Sequence, residues 1–90
     1  MNNNTLYKFY SDECQPCKQL SIIMDNMDVD VPVENINVYE EGTMKLVKAC
    51  GVRAVPALVF IDVNGNPHTK TGMMNKESLQ KWLDSVKEVV

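Results

Sequence analysis

A chain of 90 residues has room for one domain around one modest hydrophobic core, because a chain this short buries only about two-thirds of its unfolded surface. We therefore expect a single domain over residues 1–90. The net charge of −3 and the lack of a Lys/Arg cluster argue against a nucleic-acid partner, since phosphate binding requires a concentrated basic patch. No segment approaches the roughly 20 apolar residues of a membrane-spanning helix, and no signal-peptide pattern opens the chain, which argues against a membrane partner.

The cysteine content bears on the cellular compartment. A secreted protein held together by disulfides would use a larger, even set of cysteines, whereas this chain has three, two of them close together. One exchangeable pair and one spare cysteine fit a reducing compartment better. We therefore expect a cytoplasmic protein, and we expect it to act as a monomer.

The first half of the chain alternates strand-like and helix-like patterns. Thr5–Tyr10 is a β-prone run that a polar stretch ends, which predicts the first strand. Over residues 15–27 the apolar side chains recur at three- and four-residue spacing, which predicts a helix that Pro16 can open at its first turn. Residues 31–38 are extended again, with a proline near the start of the strand, where a missing N–H costs least.

The second half continues this alternation. Residues 43–50 have helical propensity, and Gly51 supplies a left-handed stop. Ala57–Ile61 is a continuous apolar run, as expected of a strand covered on both faces. The Asn64-Gly65 pair predicts a hairpin turn with positive φ at both central positions, leading into an extended segment at Pro67–Thr71.

The last helix begins at Asn75, a residue that can cap it, and presents one apolar stripe. That stripe consists of Leu79, Trp82, Leu83, Val86 and Val90. The predicted order is βαβαββα. An opening βαβ unit followed by a helix and a hairpin predicts an α/β fold with a four-stranded mixed sheet flanked by helices.

The strongest chemical signal is Cys14-Gln15-Pro16-Cys17, placed where the first strand hands over to the first helix. With Cys14 as the N-cap, the two sulfurs can form a reversible disulfide. The free N–H groups and the positive dipole end of the helix favour a thiolate at Cys14, which makes it the nucleophile. Cys17, one turn into the helix, is expected to be less exposed and to attack second.

Two segments carry a family resemblance. Residues 9–18 (FYSDECQPCK) resemble the F-W-A-x-W-C-G-P-C-K active-site segment of thioredoxins, and residues 52–57 (VRAVPA) resemble the family's V-R-x-I-P-T. The resemblance implies a thioredoxin-like fold and a thiol-disulfide oxidoreductase that reduces protein disulfides through Cys14 and Cys17. It also implies a cis Pro56 beside the cysteines, and a Val55 backbone that pairs with an extended substrate strand.

The departures from the family pattern concern the substrate-binding surface and the charges. Glu13 replaces the family's tryptophan and Gln15 its glycine, so the docking surface differs, and a carboxylate next to Cys14 opposes thiolate formation. The family's buried aspartate aligns with Lys8, and its partner lysine aligns with Glu34. We expect either a Lys8–Glu34 pair beneath Cys17 that acts as a proton relay of reversed polarity, or two independent residues that reach solvent.

Further candidates surround these residues. By resemblance, Gly72 and Met73 lie near Pro56 and contribute to substrate binding together with Pro16, although Met73 and its neighbour Met74 could equally fill core space.

Cys50 and His68 are the remaining candidates for a metal site. Zinc needs four ligands, and only Cys50 and His68 remain to complete a site with the cysteine pair; because His68 lies in the predicted hairpin, far in sequence from both cysteines, we expect no metal. We expect Cys50 to be a buried apolar residue, with a regulatory thiol as the alternative, and His68 to be a surface residue on an edge strand.

Three functions remain open. The first is a protein disulfide reductase with no bound cofactor, recycled by a thioredoxin reductase-like flavoenzyme, with ribonucleotide reductase as one client that the resemblance suggests. The second is a glutaredoxin-like reductase that uses glutathione, suggested by the small size and the Val55-Pro56 pair, although Ala54 replaces the glutaredoxin threonine. The third is a non-catalytic binding module, which the two intact cysteines argue against.

Overall fold

The computed structural model describes residues 2–72 and 74–88. Its elements are β1 (Thr5–Tyr10), α1 (Gln15–Asp25), β2 (Val33–Asn37), α2 (Met44–Ala49), β3 (Ala57–Ile61), β4 (Pro67–Thr71) and α3 (Lys76–Lys87). The predicted order βαβαββα is confirmed. None of these helices, within the described ranges, has both the length and the apolar character needed to cross a membrane.

The four strands form one mixed sheet in the order β2-β1-β3-β4. β1 pairs in parallel with β2 and antiparallel with β3, and β3 pairs antiparallel with β4. All five residues of β3 are buried, as its continuous apolar sequence predicts for a strand covered on both faces. The predicted thioredoxin-like architecture is therefore present.

Helices cover both faces of the sheet. Strand residues alternate between the two faces, so Leu6 and Leu58 face one side while Tyr7 and Phe9 face the other. The first side packs against residues of α1 and α3, and the second against residues of α2 and the segment that follows it. The last helix is capped as predicted, since the Asn75 side chain accepts a hydrogen bond from Ser78 N–H at 2.8 Å. Val90 lies outside the described residues.

α1 ends at Asp25, two residues before Met27, near which the apolar spacing predicts its end. The Asn26 backbone N–H donates to the carbonyl of Ile23 at 3.1 Å, and its side-chain amide donates to the carbonyl of Ile22 at 2.9 Å, which closes the helix. Met27 still packs against the core from the following turn. The apolar spacing therefore continues past the last helical residue, because Met27 is needed for core packing although it is not helical.

The hairpin between β3 and β4 forms, but with a different turn from the one predicted. Gly65 has a φ of +85°, whereas Asn64 does not adopt the left-handed region, so the prediction of positive φ at both positions is wrong. The Gly65 N–H donates to the carbonyl of Asp62 at 3.0 Å, and the Asp62 N–H donates to the carbonyl of Asn66 at 3.0 Å. A longer loop with one left-handed glycine therefore joins the strands.

The buried carboxylate of Asp62, which is 1% exposed, organises this loop. Its Oδ1 accepts hydrogen bonds from the backbone N–H groups of Asn64 and Asn66, both at 2.9 Å. Its Oδ2 accepts from Nε2–H of His68 at 2.8 Å. The assignment of His68 to an edge strand is confirmed, but its assignment to the surface is wrong, because the ring is half-buried against this carboxylate.

The hydrogen bond from His68, followed by those from the loop N–H groups, holds the pKa of Asp62 below its ordinary value of 3.8. A depressed carboxyl pKa contributes stability that is present above the unfolded-state pKa and is lost as the pH falls through the folded-state pKa. Thermal melts between pH 6 and pH 2 are expected to show an acid-dependent loss that is smaller in Asp62→Asn, whose melting temperature is lower at pH 6.

The matched control for this experiment is Glu77→Gln, which removes an exposed carboxylate on α3. An exposed ion pair contributes little, so its acid dependence is expected to follow that of the unmodified protein. Identical acid profiles for Asp62→Asn and the unmodified protein would contradict the role assigned to Asp62.

Candidate active site

All four strands have one terminus at the same end of the sheet. β1 runs toward this end and leads into Cys14, while β3 starts here, because Phe9 is in register with Ala57. β4 ends here as well, since Ala57 is in register with Thr71. The exit of β2 is held by a hydrogen bond from the Val38 N–H to the carbonyl of Tyr10 at 2.9 Å. The sheet topology therefore brings the predicted site segments together at one end of the sheet.

Cys14 and Cys17 form a disulfide with a Cα–Cα distance of 5.2 Å. Cys14 is the N-cap of α1 and has an extended backbone, and its Sγ accepts the Cys17 N–H at 3.1 Å. Cys17 is in the helix and 3% exposed, whereas Cys14 is half-buried. The predicted placement of the two sulfurs is confirmed: the first faces outward at a helix N-terminus that favours an anion, and the second is buried behind it.

The Val55-Pro56 peptide bond is cis, as the resemblance implies. Pro56 is buried immediately before β3, and its carbonyl accepts the Gly72 N–H at 3.1 Å. This bond holds the segment after β4 beside the proline. Val55 and Gly72 therefore lie together at the site end of the sheet, while Met73 lies outside the described residues.

Glu13, Gln15 and Pro16 surround the disulfide in sequence. Glu13 and Gln15 are exposed and Pro16 is half-buried in the first turn of α1. An exposed carboxylate therefore precedes the outward-facing sulfur of Cys14, at the position where thioredoxins carry a tryptophan. The rim of the site is more polar and more acidic than the family pattern.

The structure does not pair Lys8 with Glu34, so that hypothesis is wrong. Lys8 is in register with Asn35, whereas Glu34 is in register with Tyr7. Because side chains alternate along a strand, Lys8 and Glu34 project from opposite faces of the sheet, and Glu34 is exposed. A one-residue difference in the assumed alignment moves the partner position from Asn35 to Glu34 and reverses the face.

Lys8 instead faces α1. Lys8 is only 8% exposed. Its ammonium donates a hydrogen bond to Ser21 Oγ, and the Ser21 hydroxyl donates to the carbonyl of Cys17 at 3.2 Å. Burial lowers the pKa of Lys8 below its ordinary value, and the charge of Asp25 partly opposes this shift. Two hydrogen bonds therefore connect the buried cation to the backbone of the second cysteine.

The family model named Thioredoxin matches residues 1–85 of this chain. The chain belongs to the thioredoxin family. A thioredoxin of Borreliella burgdorferi is 31% identical over 75 residues, which cover 80% of this chain and 63% of that protein. A thioredoxin of Rickettsia typhi is 30% identical over 80 residues, which cover 84% of this chain and 74% of that protein.

Solved structures agree with this assignment. A mutant thioredoxin from Halobacterium salinarum NRC-1 superimposes with a TM-score of 0.79 at 32% identity, covering 98% of this chain and 79% of that one. A thioredoxin-like protein from Clostridium perfringens has a TM-score of 0.76 at 23% identity, covering 94% and 73%, which bears on the fold alone. Family membership and the Cys14–Cys17 disulfide together fit a thiol-disulfide oxidoreductase.

Sequence reasoning missed Ser21 and Asp25, which complete the surroundings of Lys8. Cys17, Ser21 and Asp25 recur at every fourth position of α1, a spacing that places side chains on one face of a helix. This polar stripe could have been found in the sequence beside the apolar one. A cavity of about 470 Å³ is lined by all three residues and by Lys8 and Asn35.

Cys50 is not part of the disulfide. It is the C-cap of α2, is partly exposed, and packs against the apolar cluster on the α2 side of the sheet. Burial raises the pKa of its thiol, so it ionises less readily than an ordinary cysteine. In the part of the chain that the structure describes, no cluster of three His, Cys, Asp or Glu side chains could hold a metal ion.

The exposed Glu13 carboxylate beside Cys14 predicts a measurable electrostatic effect on the nucleophile. Glu13→Gln removes a charge that disfavours the thiolate, so alkylation of Cys14 by iodoacetamide is expected to reach its half-maximal rate at a pH lower by a few tenths of a unit. The shift is expected to shrink at 1 M salt, because exposed charges are screened. The reduced protein is alkylated over a pH series, and Cys14 is quantified by peptide mass spectrometry.

Glu77→Gln on α3 again serves as the matched control, because it removes one exposed negative charge from a helix that carries none of the predicted site residues. If both variants shift the Cys14 profile equally, the effect is one of net charge and the local role of Glu13 is wrong.

Proposed function

We propose that this protein reduces protein disulfides by exchange through its Cys14–Cys17 pair, with Cys14 as the attacking thiolate and the C-Q-P-C segment as the active-site motif. The observation that carries the proposal is the placement of the two sulfurs at the N-terminus of α1, the outer one at the cap and the buried one a turn inside. A thiolate is the nucleophile in thiol-disulfide exchange, and a helix N-terminus is where it is best stabilised.

The proposed reaction has two displacement steps. The Cys14 thiolate attacks one sulfur of the client disulfide, forming a mixed disulfide and releasing the other client sulfur as a thiolate. The Cys17 thiolate then attacks Sγ of Cys14, which forms the Cys14–Cys17 bond and releases the second client sulfur. Two electrons pass from the protein to the client. The two protein thiols release their protons to solvent, and the two client thiolates take up two protons from solvent.

Client binding is proposed for the segments around the cis proline. The Val55 backbone would pair with an extended client strand, and Gly72, Met73, Pro16, Gln15 and Glu13 would border it. A shallow groove of about 230 Å³ adjoins Val55 and is lined by apolar side chains that include Tyr39 and Met44. Both are exposed, which supports contact with apolar client residues. Glu13 would disfavour acidic clients through repulsion.

The electron source is proposed from family membership. A flavin-dependent thioredoxin reductase would return the Cys14–Cys17 disulfide to the dithiol, with no cofactor resident in this chain. Glutathione is the alternative donor, and ribonucleotide reductase is one proposed client. Because disulfide reduction is needed where thiols are kept reduced, we propose a cytoplasmic location.

An insulin-reduction assay with three electron sources tests this proposal. The sources are dithiothreitol, thioredoxin reductase with NADPH, and glutathione with glutathione reductase and NADPH. We expect turnover with dithiothreitol and with thioredoxin reductase, and a fall to background in Cys14→Ser, because the first displacement is lost. Cys50→Ala is the matched control, since Cys50 lies outside the disulfide and is expected to retain full activity.

The outcomes separate the three functions. Turnover with glutathione alone would assign the protein to the glutathione-dependent class. The absence of turnover with every donor, in a protein whose disulfide dithiothreitol does reduce, would contradict an enzymatic role and favour a binding module.

A further inference from the structure

Lys8 is an unusual residue for its position. It is buried in β1, an interior strand of the sheet, next to the apolar Leu58 of β3. A charge buried without compensation costs several kcal/mol, so a lysine persists there only where other groups satisfy it. The structure supplies such groups from one direction, namely the polar stripe of α1.

That stripe begins at Cys17. Ser21 accepts a hydrogen bond from the Lys8 ammonium and donates to the Cys17 carbonyl, while the carboxylate of Asp25, one turn further along α1, favours the charged form of Lys8. Cys17, Ser21, Asp25 and Lys8 line the same solvent-connected cavity. The cation therefore shares a cavity with the buried second cysteine and is linked to its backbone through Ser21.

We propose that the Lys8 ammonium, held by Ser21, is the counter-charge for the Cys17 thiolate in the second displacement. This inference rests on the proposed disulfide exchange and adds a positioning residue to it. In the step itself the Cys17 thiol gives its proton to solvent, and the thiolate attacks Cys14 Sγ. The Cys14–Cys17 bond forms, the bond from Cys14 to the client breaks, and the client sulfur leaves with the electron pair. Lys8 neither gains nor loses a proton.

The charge has the opposite sign to the carboxylate that the family pattern places here, so its effect differs in kind. A nearby cation favours the thiolate, whereas a carboxylate disfavours it. The other charged or titratable groups facing this cavity are Tyr10 on β1, Asp12 in the loop after it, and Lys18 and Asp25 on α1; β2 contributes the neutral Asn35. Lys8 is the cation that the sheet itself presents.

A thiol-alkylation experiment tests the proposal without requiring any client. In a Cys14→Ser background, Cys17 is alkylated with iodoacetamide over a pH series and quantified by peptide mass spectrometry. Lys8→Met is expected to raise the pH at which alkylation reaches its half-maximal rate by about one unit, since it removes the charge while keeping a side chain of similar length. Lys8→Arg is expected to stay near the lysine profile. Lys45→Met, which removes an exposed lysine on α2, is the matched control and is expected to cause no shift.

The same change has a kinetic consequence. A shift of one unit lowers the thiolate fraction at pH 7 about tenfold, while the more basic thiolate is intrinsically about threefold more nucleophilic, given a Brønsted coefficient of about 0.4–0.5. Resolution of the mixed disulfide is therefore expected to be about threefold slower in Lys8→Met at pH 7. Near pH 10.5 both thiols are ionised and Lys8, whose pKa lies below its ordinary value of 10.5, is mostly neutral, so the difference is expected to disappear. A structural defect would slow resolution at both pH values.

The outcomes separate this proposal from the function on which it rests. Identical Cys17 profiles for Lys8, Lys8→Met and Lys8→Arg would overturn it, even if insulin turnover is normal. A shifted profile in a protein without insulin turnover would support it while contradicting the reductase assignment. Should Lys8→Met fail to give a cooperative melt, Ser21→Ala replaces it: loss of the tether is expected to shift the Cys17 profile up by a smaller amount, and no shift would overturn the proposal.

Discussion

The antiparallel pairing of β1 with β3 determines where every part of the site lies. Because Phe9 is in register with Ala57, the strand that leads into Cys14 ends where the strand after Pro56 begins. The same register decides which residues of β1 face α1, and it places Lys8 on that side while Tyr7 and Phe9 face α2. A slip of one residue would exchange the two faces, burying Tyr7 against α1 and turning Lys8 toward the α2 cluster. Core packing on both faces therefore also fixes the chemistry.

A second constraint acts where extended backbone becomes helical. Cys14 is extended and Cys17 is helical, so the two sulfurs lie on either side of the helix start and differ in exposure. The outer sulfur follows an exposed carboxylate at Glu13, and the buried ammonium of Lys8 shares a cavity with Cys17. In the proposed mechanism the two charges act on different sulfurs and in opposite directions, since one disfavours and the other favours a thiolate. The pair is thus tuned for attack and resolution by separate residues.

The sequence predicted the parts that local pattern and chemistry determine. Strands β1, β3 and β4 had their observed bounds, and Cys14 and Asn75 were found as helix caps because the capping side chain is local to the helix. The Lys8–Glu34 pairing failed because register between strands is a tertiary property that no local pattern encodes. The hydrogen bond between Asp62 and His68 was missed for a related reason: the two residues are brought together by the pairing of β3 with β4, which the turn residues alone do not reveal.

The account depends most directly on the Cys14–Cys17 disulfide being an exchangeable two-electron couple. The protein is equilibrated in a series of dithiothreitol buffers of known potential, its thiols are trapped with an alkylating reagent, and each cysteine is assigned by peptide mass spectrometry. The account predicts a single transition in which Cys14 and Cys17 change together, with the ratio of forms changing tenfold per about 30 mV, while Cys50 remains a thiol throughout. Separate transitions for the two cysteines, or a disulfide that joins either of them to Cys50, would contradict it.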